Sequence, residues 1–205
     1  MIIKEDSPLR HIPSGWDRKQ TLYYDAIRYS IEMADMAYTR LRETLLGITV
    51  QRRKQEEIDN LGLRITSAML DAWSIIDSVH RLRGLLEQTP GLEHSPRYTL
   101  FVEKKTQDVE TLRDTIQHLN QEINNLVSKD LPVLGALSWV AWLKPSDKWC
   151  YTCTIVAGTL FQRKDPIVNP AGKKIALPID LITLDAETSV VLSDLMIEVV
   201  KLTSW

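Results

Sequence analysis

The stretch 95-SPRYTLFVEKKTQDVETLRDTIQHLNQEINNLV-127 decides the architecture of this chain. Val102, Val109, Ile116 and Ile123 return every seven residues, and Lys105, Leu112, Leu119 and Leu126 form a companion series with one polar intruder. Two such series lay an apolar stripe along a helix of about 3.6 residues per turn. Ser95 followed by Pro96 supplies a cap residue and then a proline in the first turn, where a missing N–H is no loss. The pattern predicts one long helix that opens at Ser95 and reaches about residue 130.

Two more helices precede it. From Lys19 to about Leu46 the stripe runs Tyr23, Ile27, Ala34, Tyr38, Leu41, Leu45, and Gly47 reads as its stop. From Lys54 to about Glu87 it runs Ile58, Leu61, Ile65, Met69, Ala72, Ile75, Val79, Leu82, Leu86. Thr89, Pro90 and Gly91 end that helix, because proline cannot continue the ladder and glycine permits a left-handed turn. Long helices joined by short links pack as an antiparallel bundle. Residues 1–17, with Pro8, Pro13 and Gly15, read as an irregular lead anchored by Trp16.

After Pro132 the composition changes. The segments 137–143, 149–161 and 174–184 are rich in β-branched and aromatic residues, with turn signals at Lys144–Asp147 and Asn169–Gly172. They predict a small antiparallel meander. From Glu187 to Leu202 helical spacing returns through Val190, Val191, Leu195, Ile197 and Val200, with Asp185 or Thr183 as the cap. The expected fold is α+β and predominantly α. Residues 18–130 form a bundle of three long helices, and 133–205 form a meander and closing helix packed on it.

The bulk numbers narrow the function classes. The chain has 205 residues, 44% hydrophobic and 25% charged, which is globular rather than disordered composition. A net charge of −2 provides no global field toward nucleic acid, so any such surface is a local patch. Arg52, Arg53 and Lys54, with Arg40 and Arg42 nearby, are the best basic candidate, but Glu56 and Glu57 follow and favour a solvated helix entrance. No window offers the 18–20 or so unbroken apolar residues of a membrane span. The acidic start, Glu5 and Asp6, does not fit a secretory signal. With two cysteines and no export signal the expected location is the cytoplasm, with both thiols reduced.

Chemistry concentrates at Arg113, Asp114 and His118. If Val109, Leu112, Ile116 and Leu119 point into the bundle, Asp114 and His118 lie on the outer side, at the i,i+4 spacing where side chains meet. A carboxylate there fixes the imidazole tautomer and raises its pKa, while a guanidinium holds a phosphate. Arg113 is five residues from His118, a poor spacing for contact within one straight helix. If the three act together, either the helix is distorted or a second copy contributes. The outward face favours the second copy.

An Arg followed directly by Asp and, after four intervening positions, by His, set in a bundle of long helices, resembles the HEPN superfamily. Arg113, Asp114 and His118 carry the resemblance, which covers about residues 20–130; the region from Pro132 onward is not part of that family's core. The resemblance implies a metal-independent endoribonuclease, a toxin or defence component, that works as a homodimer with one composite site. His118 is then the general acid/base, Arg113 holds the scissile phosphate and Asp114 orients the imidazole. It implies RNA as substrate, a protein partner such as an antitoxin, and no cofactor or metal. The competing reading is a non-catalytic helical module that binds a protein through its outer helix faces or its β segment.

Other motifs weigh less. Cys150 and Cys153 have redox-motif spacing, but positions three apart on a strand face opposite ways, and no second ligand pair is present for zinc. His80, three residues after Asp77 and beside Arg81 and Arg83, reads as a packed neutral histidine, with a site shared with the third helix as the alternative. Ala171–Lys174 lacks the first glycine of a phosphate loop. Trp139, Trp142 and Trp149 read as sheet packing.

Overall fold

Asp17 opens the first helix. Its carboxylate accepts from the Gln20 N–H at 2.8 Å, and the Gln20 side chain accepts from the Asp17 N–H at 3.0 Å, so two otherwise orphaned donors are satisfied reciprocally. A computed structural model describes residues 2–55, 60–89, 95–129, 131–142, 150–158, 179–182 and 188–203. Helix α1 spans Arg18–Arg53, α2 Leu61–Gln88, α4 Gln107–Gln117, α5 Leu119–Lys129 and α6 Leu192–Thr203, and α3 is the short Pro96–Leu100. The strands are β1 Ala136–Ala141, β2 Tyr151–Val156, β3 Ile179–Ile182 and β4 Ser189–Val191. The chain is predominantly helical with a minor β part, as expected.

The first two helices form the frame. Ile31, Ala34, Ala37, Leu41, Leu45 and Ile48 of α1 and Ala68, Ala72, Ile75, Val79 and Leu82 of α2 are buried in one core. Alanines among them let the backbones approach, and each fully buried aliphatic contributes about 1.5–3 kcal/mol relative to exposure. Asp71 is buried at 2% exposure and pairs with Arg40 across the two helices.

Helix α1 does not stop at Gly47 but runs on to Arg53. A side chain at Gly47 would meet Arg64 Nη1 of α2 at 3.2 Å, so the glycine marks a close approach and not a terminus. Correspondingly, α2 begins at Leu61 rather than Lys54, after Gln55 and Asn60, both with positive φ. The expected stop at Pro90 and Gly91 lies outside the described residues, and Thr89 caps α2.

The expected single third helix is broken twice. Pro96 starts α3, which passes into a π turn over Phe101–Lys105. The wider turn inserts one residue, so Lys105, the polar member of the heptad series, is exposed and Thr106 is buried instead. The Thr106 hydroxyl donates to the carbonyls of Phe101 at 2.9 Å and Val102 at 3.3 Å, satisfying the widened turn. The second break is at His118. Of the heptad positions, Val109, Leu112 and Leu126 are buried, Ile116 and Leu119 half-buried, and Ile123 exposed.

The sheet has the order β2-β1-β3-β4 with every pair antiparallel. A meander would place β2 between β1 and β3; instead β1 is shared, with Trp139 opposite Cys153 on one side and Ile179 on the other. Val190 and Val191, expected in the closing helix, belong to β4, and α6 starts at Leu192. Two β-branched residues in succession suit a pleated strand better than a helix. Turn signals at Lys144–Asp147 and Asn169–Gly172, the caps Thr183 and Asp185, the lysines of Ala171–Lys174, and Trp149 lie outside the described residues. β1 is buried along its whole length, and Leu137, Trp139 and Ile155 join the same core as the helices, with Leu195, Met196, Val199 and Leu202 of α6. Among the described residues no helix is long and apolar enough to cross a membrane.

Candidate functional site

The seam between α2 and α4 positions the charged motif. Val109 and Leu112 are buried and fix the rotation of α4, which brings Glu110 to Arg83 of α2. Arg83 also reaches Glu87 at 3.2 Å and is itself mostly buried, so one guanidinium ties the two helices together. The turn of α4 that follows Glu110 carries Arg113 and Asp114.

Arg113 lies half-buried. Its Nη1 is 3.6 Å from Asp114 Oδ1, and its Nε is buried with no partner among the described residues. Asp114 is exposed and turns to its neighbour Arg113, not to His118. The imidazole of His118 is exposed and makes neither a hydrogen bond nor an ion pair with Asp114.

The backbone changes character at His118. His118 has φ −102° and ψ 22°, outside the helical region, and ends α4. Its N–H still donates to the Asp114 carbonyl at 3.1 Å, while its own carbonyl accepts from Gln121 at 2.8 Å and Glu122 at 3.1 Å. One residue therefore closes one helix and opens the next. The backbone bond between Asp114 and His118 is kept, so what separates their side chains is direction: the Asp114 carboxylate turns to Arg113 instead. Arg113, Asp114 and His118 lie together at the C-terminal end of α4, but their three side chains make no common contact within a single chain.

His80 gains weight in the structure. Asp77 pairs with Arg81 rather than with His80, and His80 Nδ1 is buried without a partner among the described residues. His80 sits one turn before Arg83, and Arg113 one turn after Glu110. His80 and Arg113 thus each carry a buried side-chain nitrogen without a partner among the described residues, on the two helices that Arg83 and Glu110 join.

A second feature escaped the heptad reading. Ile123 is 45% and Val127 77% exposed on α5, one and two turns past His118. These apolar side chains, four residues apart, share one exposed face of α5.

The other candidates resolve simply. The Cys153 thiol is half-buried, 3.9 Å from Thr49 Oγ1, and burial pushes its pKa up, which suppresses thiolate. Cys150 is exposed, and both cysteines are free. Arg52 and Arg53 occupy the last turn of α1, where cations complement the helix dipole. Arg40 is committed to Asp71. Trp139 is buried in the core, and Trp142 flanks a cavity with Leu46. Among the described residues no three His, Cys, Asp or Glu side chains converge as a metal site. No family model matches the chain, and no curated protein or solved structure shows significant similarity to it.

Proposed function

We propose that the chain is a HEPN-like endoribonuclease that cleaves RNA without a metal and acts as a homodimer. The observation that carries this reading is the exposed apolar pair Ile123 and Val127 on the helix that directly follows the exposed His118. Apolar side chains of this size in the open next to a polar motif mark a contact surface. Pairing two copies of α5 through them brings the α4–α5 junction of one copy toward α4 of the other. In that arrangement Arg113 of one copy holds the scissile phosphate, its guanidinium placed by Asp114, and His118 of the other copy transfers the proton. RNA binding then depends on this composite patch and not on net charge, which is −2.

The test is cleavage of single-stranded RNA in EDTA by the wild type, His118→Ala, Arg113→Ala, and a refolded mixture of the two variants. The expected result is cleavage by the wild type, loss in each variant, and partial recovery in the mixture, because mixed dimers hold one intact composite site. Absence of wild-type cleavage, or equal cleavage by all, rejects the nuclease.

A second reading is a non-catalytic helical module that binds a protein such as an antitoxin. It is favoured by the outward faces of α1 and α2, where Tyr29, Met33, Met36, Leu63 and Leu70 are exposed. Methionine-rich helix faces adapt to partner surfaces.

A further inference from the structure

The irregular lead is clasped onto the bundle, and the clasp borders a half-open cavity. The Ile2 N–H donates to Asp35 Oδ2 at 2.9 Å, Arg10 pairs with Glu32 at 3.2 Å, and the Tyr24 hydroxyl donates to the carbonyls of Pro8 and His11. Trp16 meets Tyr24 edge to face, with ring centroids 5.3 Å apart. Between this lead, the first turns of α1 and the last turn of α2 lies a space of about 540 Å³. Small-molecule sites typically occupy about 300–1,000 Å³. Its walls are apolar and aromatic: Leu9, Trp16, Tyr23, Tyr24, Ile27 and Leu86.

The polar atoms at the rim are nearly all used. Asp17 and Gln20 satisfy each other's backbone in the cap of α1. Tyr24 is bound to the lead, Tyr23 reaches Gln88 at 3.5 Å, and the Thr89 hydroxyl donates to the Leu85 carbonyl at 2.7 Å. What remains is the Lys19 ammonium, 6.0 Å from the centre of the Tyr23 ring and in contact with no carboxylate among the described residues. An apolar chamber with one uncommitted cation at its mouth is complementary to an apolar body bearing one anionic head.

We propose that this cavity binds a small amphipathic carboxylate, with its hydrocarbon body among Trp16, Tyr23, Ile27 and Leu86 and its carboxylate on Lys19. The site is independent of Arg113, Asp114 and His118, on a different part of the bundle. Either an aryl or an acyl carboxylate presents this chemistry, and the two are separable by titration.

Isothermal titration of the full chain with 2-naphthoate, decanoate and 2-naphthylmethylamine tests the site. Saturable one-to-one binding of at least one acid is expected, with the amine at least several-fold weaker. Tighter naphthoate points to an aromatic source and tighter decanoate to an acyl source, and either result upholds the site. Lys19→Met, which keeps the stem, is expected to weaken the acid about three- to tenfold. Ile27→Trp, which fills the chamber, is expected to abolish binding, with an unchanged thermal transition showing that the fold is intact. If neither acid binds, if the amine binds as well as the acids, or if folded Ile27→Trp binds normally, the assignment is wrong.

Discussion

The indole N–H of Trp139 on β1 donates to the hydroxyl of Thr49 on α1 at 2.9 Å, a buried bond between residues far apart in sequence. Thr49 in turn donates to the Leu45 carbonyl at 2.9 Å, so the hydroxyl is saturated and the sheet is fixed to the helical frame at one point. Thr49→Val keeps the shape but strands a buried N–H, at a cost of about 1–3 kcal/mol. For a chain of this size that lowers Tm by about 3–10 °C. Thr49→Ser keeps the acceptor and is expected to cost less. Thermal unfolding of the three proteins checks this; a valine variant as stable as wild type would remove the bond from the account of stability.

Gly47 offers a substitution of opposite sign. It is helical, and the nearest atom to an added methyl is Arg64 Nη1 at 3.2 Å, the far end of a flexible side chain. Alanine is favoured over glycine inside a helix by about 0.8–1.0 kcal/mol. Gly47→Ala is therefore expected to stabilise the protein by about 0.5–1 kcal/mol in urea unfolding. A loss of stability would mean that Arg64 cannot yield.

The two thiols are expected to separate by reactivity. Cys150 is exposed, whereas burial raises the Cys153 pKa above its free value. At pH 7–8 a disulfide reagent such as DTNB should titrate one thiol quickly and the other slowly, and Cys150→Ser should remove the fast phase. The slow rate rises with pH as Cys153 ionises. By the same linkage the folded state holds this proton more tightly than the unfolded chain. Its contribution to stability is complete below the free-thiol value of about 8.5 and fades as pH rises through the folded pKa.

The α5 surface can be tested without RNA. Ile123→Asp together with Val127→Asp places charge on side chains that are already exposed, so the thermal transition should change little. Light scattering should show wild-type dimers and variant monomers. A monomeric wild type contradicts the composite site, and a variant that remains dimeric moves the interface elsewhere.

Much of the helical plan was legible because it rests on periodicity. Leu41, Leu45, Ile75, Val79, Val109 and Leu112 all fall where three- and four-residue steps place them, and all are buried. The breaks were not legible, for two reasons. At Thr106 a side-chain hydroxyl satisfies a widened turn, a tertiary accommodation that heptad spacing does not register. At His118 nothing in the flanking sequence, neither proline nor glycine, announces a change of direction. Strand order was hidden for a different reason: pairing partners depend on the connection from β2 to β3, and local patterning carries no information about which edge of β1 a later strand joins. The Asp114–His118 pairing expected at i,i+4 does not form, because spacing alone does not say that Asp114 turns to Arg113.

The position of β1 has a consequence for how the chain is made. β1, an inner strand of the sheet, is the first of the four to be synthesised, after both members of the α1–α2 hairpin. The Trp139–Thr49 bond therefore gives β1 a helix to dock on before any strand is there to pair with it. β2 and β3 then add to its two sides, and β4 last of all. The sheet is in this sense an outgrowth of α1. Damage at the Thr49 anchor should therefore slow completion of the sheet out to β4, which does not pair with β1.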